Sequence, residues 1–151
     1  MVMPPPAPQA PAPPGSVHAG LSASVALTVT AADTAMSLGS GDVPVLATPR
    51  LVALCEEASF RALDGLLGPG RTSVASRVQF DHLVPVPVGS VVKAEATLEK
   101  VEGRRLVFTV SVALAAHDRA ALVAAGRLTR VVVQRSAFLA KAGCTEVAPT
   151  P

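Results

Sequence analysis

Aromatic residues are almost missing from this 151-residue chain, which has four Phe and neither Trp nor Tyr. Proteins that bind single-stranded nucleic acid stack the bases on aromatic side chains above a basic groove. Here 13 Lys and Arg are scattered against 11 Asp and Glu, for a net charge of +2. The composition therefore argues against nucleic acid as a partner. It also requires a core built from Val, Leu and Ala.

Cysteine and long hydrophobic runs are also scarce. The two cysteines, Cys55 and Cys144, do not have the spacing of metal ligands, and we expect Cys55 to be a small core residue. No apolar run reaches the roughly 18 residues that cross a membrane. The N-terminus lacks the charged and apolar regions of a signal peptide. We therefore expect a cytoplasmic protein with no metal and no membrane partner.

Proline is abundant, but mainly at one end. Seven of the first 14 residues are Pro, which resists both helix and sheet, so residues 1–16 are expected to form a disordered tail. Residues 143–151 are polar and end in proline, and we expect a second flexible tail there. Between the tails, residues 17–142 are predicted to form one folded domain of ordinary size.

Alternating apolar residues predict five strands, and a longer period predicts one helix. The strands are predicted at residues 21–30, 72–82, 90–101, 106–114 and 120–134. In the second strand, Val74, Val78 and Phe80 are expected on one face. The helix is expected from Pro49 to Leu67, with Thr48 as its N-cap and a stop at residues 68–70. Because there is no βαβ repeat, the order predicts an α+β fold with an antiparallel sheet.

Two adjacent glutamates in the helix are predicted to have different environments. One helix stripe contains Val52, Glu56, Phe60, Leu63 and Leu67, and Glu56 is its only polar member. Desolvation in an apolar groove would make Glu56 a stronger base. The alternatives are a rim carboxylate that turns to solvent and a salt bridge to an arginine at the core edge. Glu57 is expected on the solvated face, paired with Arg61.

His82 and Thr48 are the other candidates for a site. His82 continues the apolar side of its strand, although a hydrogen-bonded histidine at a strand end is the common alternative. We expect His117 to be such a turn residue. Thr48 opens the helix, whose N-terminus presents free N–H groups and the positive end of a dipole. A carbonyl oxygen that gains negative charge would be stabilised there.

The order of elements and four short stretches resemble a known family. The stretches are residues 47–48, 54–58, 81–89 and 101–106. Over residues 21–140 the chain resembles the hotdog fold, in which a five-stranded antiparallel sheet wraps one long central helix. Within that superfamily it is similar to the fluoroacetyl-CoA-thioesterase-like group.

The resemblance implies a catalytic set. In that group it consists of a threonine, a glutamate eight residues later, and a histidine seven residues before a glycine. Thr48, Glu56 and His82 match these positions, and Gly89 supplies the glycine. The implied activity is hydrolysis of a short or medium acyl-CoA, with Glu56 as general base or nucleophile. His82 would transfer the proton and Thr48 would orient one of the two.

The resemblance also implies the surroundings of the site. Pro49, Ala75 and Gly89 are expected to contact the substrate. Coenzyme A is part of that substrate, and no other cofactor is expected. The protein is expected to be a homodimer or a larger homo-oligomer. Fluoroacetyl-CoA-specific members carry Phe in the segment before the helix, whereas residues 36–46 have none. Ala75 also stands where the group has glycine, and both departures argue against a fluorinated substrate. Two alternatives stay open: a non-enzymatic binder of acyl-CoA or acyl groups, and a hotdog hydratase, for which Asp42 marks a weak candidate segment.

Overall fold

One antiparallel sheet and one main helix make up the fold. The computed structural model describes residues 2–5, 16–115 and 121–144. The strands are β1 (Ser22–Thr28), β2 (Arg71–His82), β3 (Val91–Glu102), β4 (Arg105–Leu114) and β5 (Ala121–Gln134). The helices are a 3-10 turn (Ala31–Asp33), α1 (Ala35–Leu38), α2 (Thr48–Ala62) and α3 (Arg135–Lys141). The five strands form one antiparallel sheet in the order β1-β3-β4-β5-β2. Sheet and helices together give the predicted α+β fold. His117 and most of both expected tails lie outside the described residues.

The core lies between α2 and the inner face of the sheet. Alternate residues of the two central strands are buried, as their sequence pattern predicts. They are Val92, Ala94, Ala96 and Leu98 on β3, and Leu106, Phe108, Val110 and Val112 on β4. Helix α2 packs mainly on β1 and β3. Because Ala94, Ala96 and Ala58 of α2 are small and completely buried, the helix can lie close to the sheet.

Helix α2 ends five residues earlier than the sequence predicts. It stops at Ala62, and the N–H of Leu63 donates to the carbonyl of Phe60, a tighter bond than the helical one. Gly65 then adopts a left-handed conformation with φ of 71°, which glycine accepts without a steric penalty. The first glycine after the helix therefore ends it, and the expected stop at residues 68–70 comes too late.

The buried face of α2 is also turned relative to the prediction. Its buried residues are Leu51, Leu54, Cys55, Ala58, Ser59 and Ala62. Glu56 is half-buried, and Phe60, which anchored the predicted stripe, is 52% exposed. The predicted stripe therefore runs along the flank of the helix. Cys55 is a core residue as expected, and burial raises the pKa of its thiol to about 12.

A β-bulge in β2 exchanges the faces of that strand. The pairing with β5 shifts between Ala75 and Arg77, so Ser76 is the extra residue. Val74 therefore lies on the outer face, contrary to the prediction, while Ala75 packs against the core. Beyond the bulge His82 returns to the inner face, where it meets the start of α2. A bulge that re-aims a side chain in this way often lies beside a functional site.

Helix α3 is a short element that the sequence analysis did not predict. It follows β5 directly and has no buried residue, and its largest side chain, Phe138, is 39% exposed. No helix in the described part of the chain is both long and apolar enough to span a membrane.

Candidate active site

The segment before α2, residues 33–47, places the start of that helix. The N–H of Ala35 donates to Val45 O at 2.9 Å, and the N–H of Ala47 donates to Asp33 O at 2.9 Å. The N–H of Leu46 donates to Val86 O, also at 2.9 Å. We call residues 33–47 the strap. These bonds fix both ends of the strap and bring the first turn of α2 beside the loop that follows β2.

Thr48 and His82 are in direct contact. A hydrogen bond of 2.8 Å joins Thr48 Oγ1 to His82 Nδ1. Ala47, rather than Thr48, is the N-cap of α2, and Thr48 is the first residue of the helix. The predicted N-cap role of Thr48 is therefore wrong, and its hydroxyl is used for the histidine. The other ring nitrogen, Nε2, is buried without a hydrogen-bond partner among the described residues.

A cleft of about 320 Å³ opens at this pair. It is lined by Ala35, Ser40, Val43, Val45, Leu46, Ala47, Thr48, Pro49, His82, Leu83, Val84 and Pro85. Pro49 has no N–H, and the N–H of Arg50 donates to Ala47 O at 3.1 Å. The N–H of Thr48 has no partner in the described chain. The helix N-terminus therefore offers one free donor, at the residue whose hydroxyl contacts His82.

A buried carboxylate holds the first turn of α2. Asp33, 8% exposed, accepts hydrogen bonds from the Thr30 N–H at 2.8 Å, the Thr30 hydroxyl at 3.0 Å and Arg50 Nε at 2.9 Å. Burial acts to raise the pKa of Asp33, but these hydrogen bonds and the charge of Arg50 together bring that pKa below its ordinary value. The strap and the helix start are thus joined by an ion pair.

Glu56 lies apart from the Thr48–His82 pair. It is eight residues further along α2, which at the rise of a helix is about 12 Å from Thr48 along the axis. Within the described residues its carboxylate makes no hydrogen bond or ion pair. Its neighbour Glu57 pairs with Arg61 at 2.7 Å, as predicted. The structure therefore brings two of the three candidate catalytic residues together and leaves the third two turns away.

Arg130, which the sequence analysis missed, lies beneath Glu56. It is 5% exposed. Its Nε donates to Ser73 Oγ at 2.8 Å and its Nη2 to Ser73 O at 2.9 Å. Its Nη1 donates to Ser59 Oγ at 3.2 Å and to Glu56 O at 3.4 Å, and its guanidinium lies 5.6 Å from the centre of the Phe60 ring. Burial lowers the pKa of Arg130, and the charge of Glu56 opposes that shift.

The three residues expected at the substrate occupy different places. Pro49 lines the cleft. Ala75 packs against the core opposite Arg130 in the sheet, and Gly89 is exposed in a turn with φ of 95°. Neither Ala75 nor Gly89 lines the cleft, and Asp42 does not line it either. Only Pro49 is positioned for contact with a ligand at the Thr48–His82 pair.

Two of the solved structures that this chain matches are described as thioesterases. A structure of the fluoroacetyl-CoA thioesterase FlK matches with a TM-score of 0.75 at 29% identity, over 85% of this chain and 96% of that chain. A Thermus thermophilus protein described as a thioesterase superfamily member matches with a TM-score of 0.76 at 27% identity, over 83% of this chain and 90% of that chain. The fold is therefore the predicted hotdog fold, and the class is thioester hydrolase.

The sequence identifies the family within this class. The family model described as fluoroacetyl-CoA-specific thioesterase matches residues 29–136. The fluoroacetyl-CoA thioesterase of Streptantibioticus cattleyicolor is 37% identical over 97 residues, which are 64% of this chain and 67% of that protein. The chain belongs to the fluoroacetyl-CoA-specific thioesterase family. The predicted acyl-CoA thioesterase is confirmed at this level, and neither the acyl-group binder nor the hydratase is favoured.

Proposed function

We propose that this chain hydrolyses the thioester of a short or medium acyl-CoA at the cleft formed by Thr48 and His82. The contact of 2.8 Å between the hydroxyl and the imidazole carries the proposal, because a nucleophile and its base must lie within hydrogen-bond reach. Coenzyme A as the thiol is supported by the solved structure of an FlK variant with fluoroacetate and CoA.

The proposed reaction begins with proton transfer from Thr48 to His82. Nδ1 accepts the hydroxyl proton as Oγ1 attacks the thioester carbonyl carbon. The carbonyl oxygen gains negative charge beside the free N–H of Thr48, at the positive end of the α2 dipole. The C–S bond then breaks, and the imidazolium returns its proton to the coenzyme A thiolate. Water then attacks the acyl-threonine ester and gives up a proton to Glu56, the ester C–O bond breaks to release the acid, and the proton returns through His82 to Thr48 Oγ1.

The role of Glu56 follows from its distance to this pair. A nucleophile must touch the carbonyl carbon, and Glu56 lies about 12 Å along the helix from the residue at which that carbon would sit. We therefore propose that Glu56 is not the attacking group. It accepts the proton of the hydrolytic water through a chain of water molecules that spans this distance. Arg130 fixes the helix turn that carries Glu56 through its bonds to Ser59 Oγ and Glu56 O.

A single-turnover experiment in oxygen-18 water separates these roles. Rapid quenching followed by mass spectrometry of the intact protein is expected to reveal an acyl adduct on Thr48 that the Thr48→Val variant does not form. His82→Ala should form the adduct at least 100-fold more slowly. Oxygen-18 in the Glu56 carboxylate would instead identify Glu56 as the nucleophile. A protein with neither adduct nor label would mean that water attacks the thioester directly.

We further propose that the protein is a homodimer that associates through β2. This strand lies at one edge of the sheet, and an uncovered edge invites pairing with another chain. Val78 on β2 is 36% exposed and Phe60 on the adjacent flank of α2 is 52% exposed. Light scattering should give twice the chain mass for the wild type and a lower mass for Val78→Arg. A wild-type monomer at micromolar concentration would contradict the proposal.

The proposed reaction needs water as its only second reactant. Turnover is therefore expected to continue unchanged after treatment with a metal chelator, and a loss that added metal restores would contradict this. The cytoplasmic location expected from the sequence stays a prediction.

A further inference from the structure

We infer that the acyl group taken by this chain is an uncharged aliphatic chain longer than acetyl, and that it lies along the strap. This inference rests on the proposed function, because it assigns the acyl part of the same substrate. It is carried by the lining of the cleft and by the exposed side chains beside it.

The cleft wall is aliphatic and almost free of charge. Beyond Thr48 and His82, its side chains come from Ala, Val, Leu and Pro, with Ser40 as the only other polar residue. His82 is the only ionisable residue of the lining. A carboxylate on the acyl group would lose its hydration in this cleft without gaining a partner, which is costly. Dicarboxylic acyl groups are therefore disfavoured, and an alkyl chain fits.

Several apolar side chains in and beside the cleft are exposed to solvent. On the strap, Val43 of the lining is 48% exposed. Met36, which lies outside the lining but donates its N–H to Val43 O, is 57% exposed. On the loop after β2, Leu83 is 54% exposed and Val84 is 39% exposed. Contiguous exposed apolar surface commonly marks a binding site. An alkyl chain whose thioester lies at Thr48 would cover this surface, whereas a two-carbon acyl group would leave it in water.

The strap is already held in the shape that such a chain requires. The N–H of Met36 donates to Val43 O at 3.2 Å, and Val45 bridges to Pro87. The alkyl chain would therefore bind without first ordering the strap. The free energy gained by burying each methylene then contributes fully to the affinity. Residues 36–46 contain no aromatic side chain that would close the cleft above a small acyl group.

The test is a series of acyl-CoA substrates, acetyl, butyryl, hexanoyl and octanoyl, with fluoroacetyl-CoA and succinyl-CoA added. Each added methylene is expected to be half covered by the cleft and so to contribute half of the free energy of full burial. This raises kcat/KM roughly twofold per methylene. Hexanoyl-CoA should therefore exceed acetyl-CoA on the order of 15-fold, and succinyl-CoA should be poorer than butyryl-CoA. Thiol release measures each rate.

A matched pair of valine variants locates the effect. Val43→Ser should reduce the ratio of hexanoyl to acetyl specificity several-fold, and Val101→Ser should not, because Val101 is 45% exposed at the far end of β3. Acetyl- or fluoroacetyl-CoA as the best substrate would overturn the inference and leave the thioesterase in place. No thiol release from any member would overturn the proposed function as well. A Val43→Ser protein that dissociates without changing the ratio would show that a second copy covers the strap.

Discussion

Replacing Asp33 by Asn is expected to loosen the start of α2 in a pH-dependent way. One carboxylate oxygen accepts from Arg50 and the other accepts twice from Thr30. Asn has a single acceptor oxygen, so one of these two sets must be lost. A hydrogen bond to a charged group is worth about 1.5–3 kcal/mol, and we expect about 2 kcal/mol of stability to be lost at pH 7. For a chain of this length that corresponds to roughly 4–8 °C in Tm.

The sign of the pH dependence follows from the lowered pKa of Asp33. A carboxyl group whose pKa is lowered in the folded state stabilises the protein at pH values above the ordinary pKa of 3.8. That contribution is lost as the pH falls through the pKa of the folded state. The difference between wild type and Asp33→Asn should therefore be full at pH 6–7 and shrink below about pH 4. Thermal melts followed by circular dichroism across this range measure it.

Asp42→Asn is the control for the Asp33 experiment. It removes the same charge from an exposed residue of the strap, and its Tm should stay within about 2 °C of the wild type because surface changes usually cost under about 0.5 kcal/mol. Equal effects of the two variants, or an Asp33→Asn difference that does not change with pH, would refute the reasoning. In that case the carboxylate does not hold the helix start.

Three further predictions concern other parts of the chain. Glu56→Gln should lower turnover at least ~100-fold while Glu57→Gln stays near wild type; equal effects would remove Glu56 from the site. Gly126→Ala should lower the stability by more than ~1 kcal/mol in urea unfolding, because its new β-carbon would overlap a backbone carbonyl of β2; an unchanged midpoint would show that the strands can move apart. Exposed Cys144 should react with a thiol reagent at pH 8 while buried Cys55 reacts only after unfolding; two reactive thiols in the folded protein would contradict the burial.

The strands were predictable because their signal is strictly local. From Val91 to Leu98 in β3 and from Arg105 to Val112 in β4, every second side chain is buried, and the sequence shows that alternation directly. The order of strands in the sheet is not local, and the sequence analysis did not predict it. The helix was found for the same reason as the strands, although its end was not, because Gly65 and the glycine at 68 carry equal signals and only the folded backbone selects between them.

The faces were harder to predict than the elements. The bulge at Ser76 leaves the composition of β2 unchanged, yet it moves Val74 to the outer surface. The face of α2 was misjudged because its buried residues include Cys55, Ala58 and Ser59, which are small, while the exposed Phe60 dominates any hydrophobic average. In both cases the predicted face is offset from the true one by about one residue along the chain. The sizes of the side chains alone do not reveal such an offset.

Arg130 was open to detection in the sequence and was not found. It occupies an inward position of β5 between Leu128 and Val132, which are both buried. A charged residue therefore interrupts the row of apolar residues on that face, as Glu56 was predicted to interrupt the apolar stripe of the helix. No carboxylate lies within ion-pair distance of it in the described chain; its partners are hydroxyls and carbonyls. A buried charge that is satisfied by neutral groups keeps its field. The half-buried Glu56 therefore lies in the field of a cation whose position does not depend on the substrate.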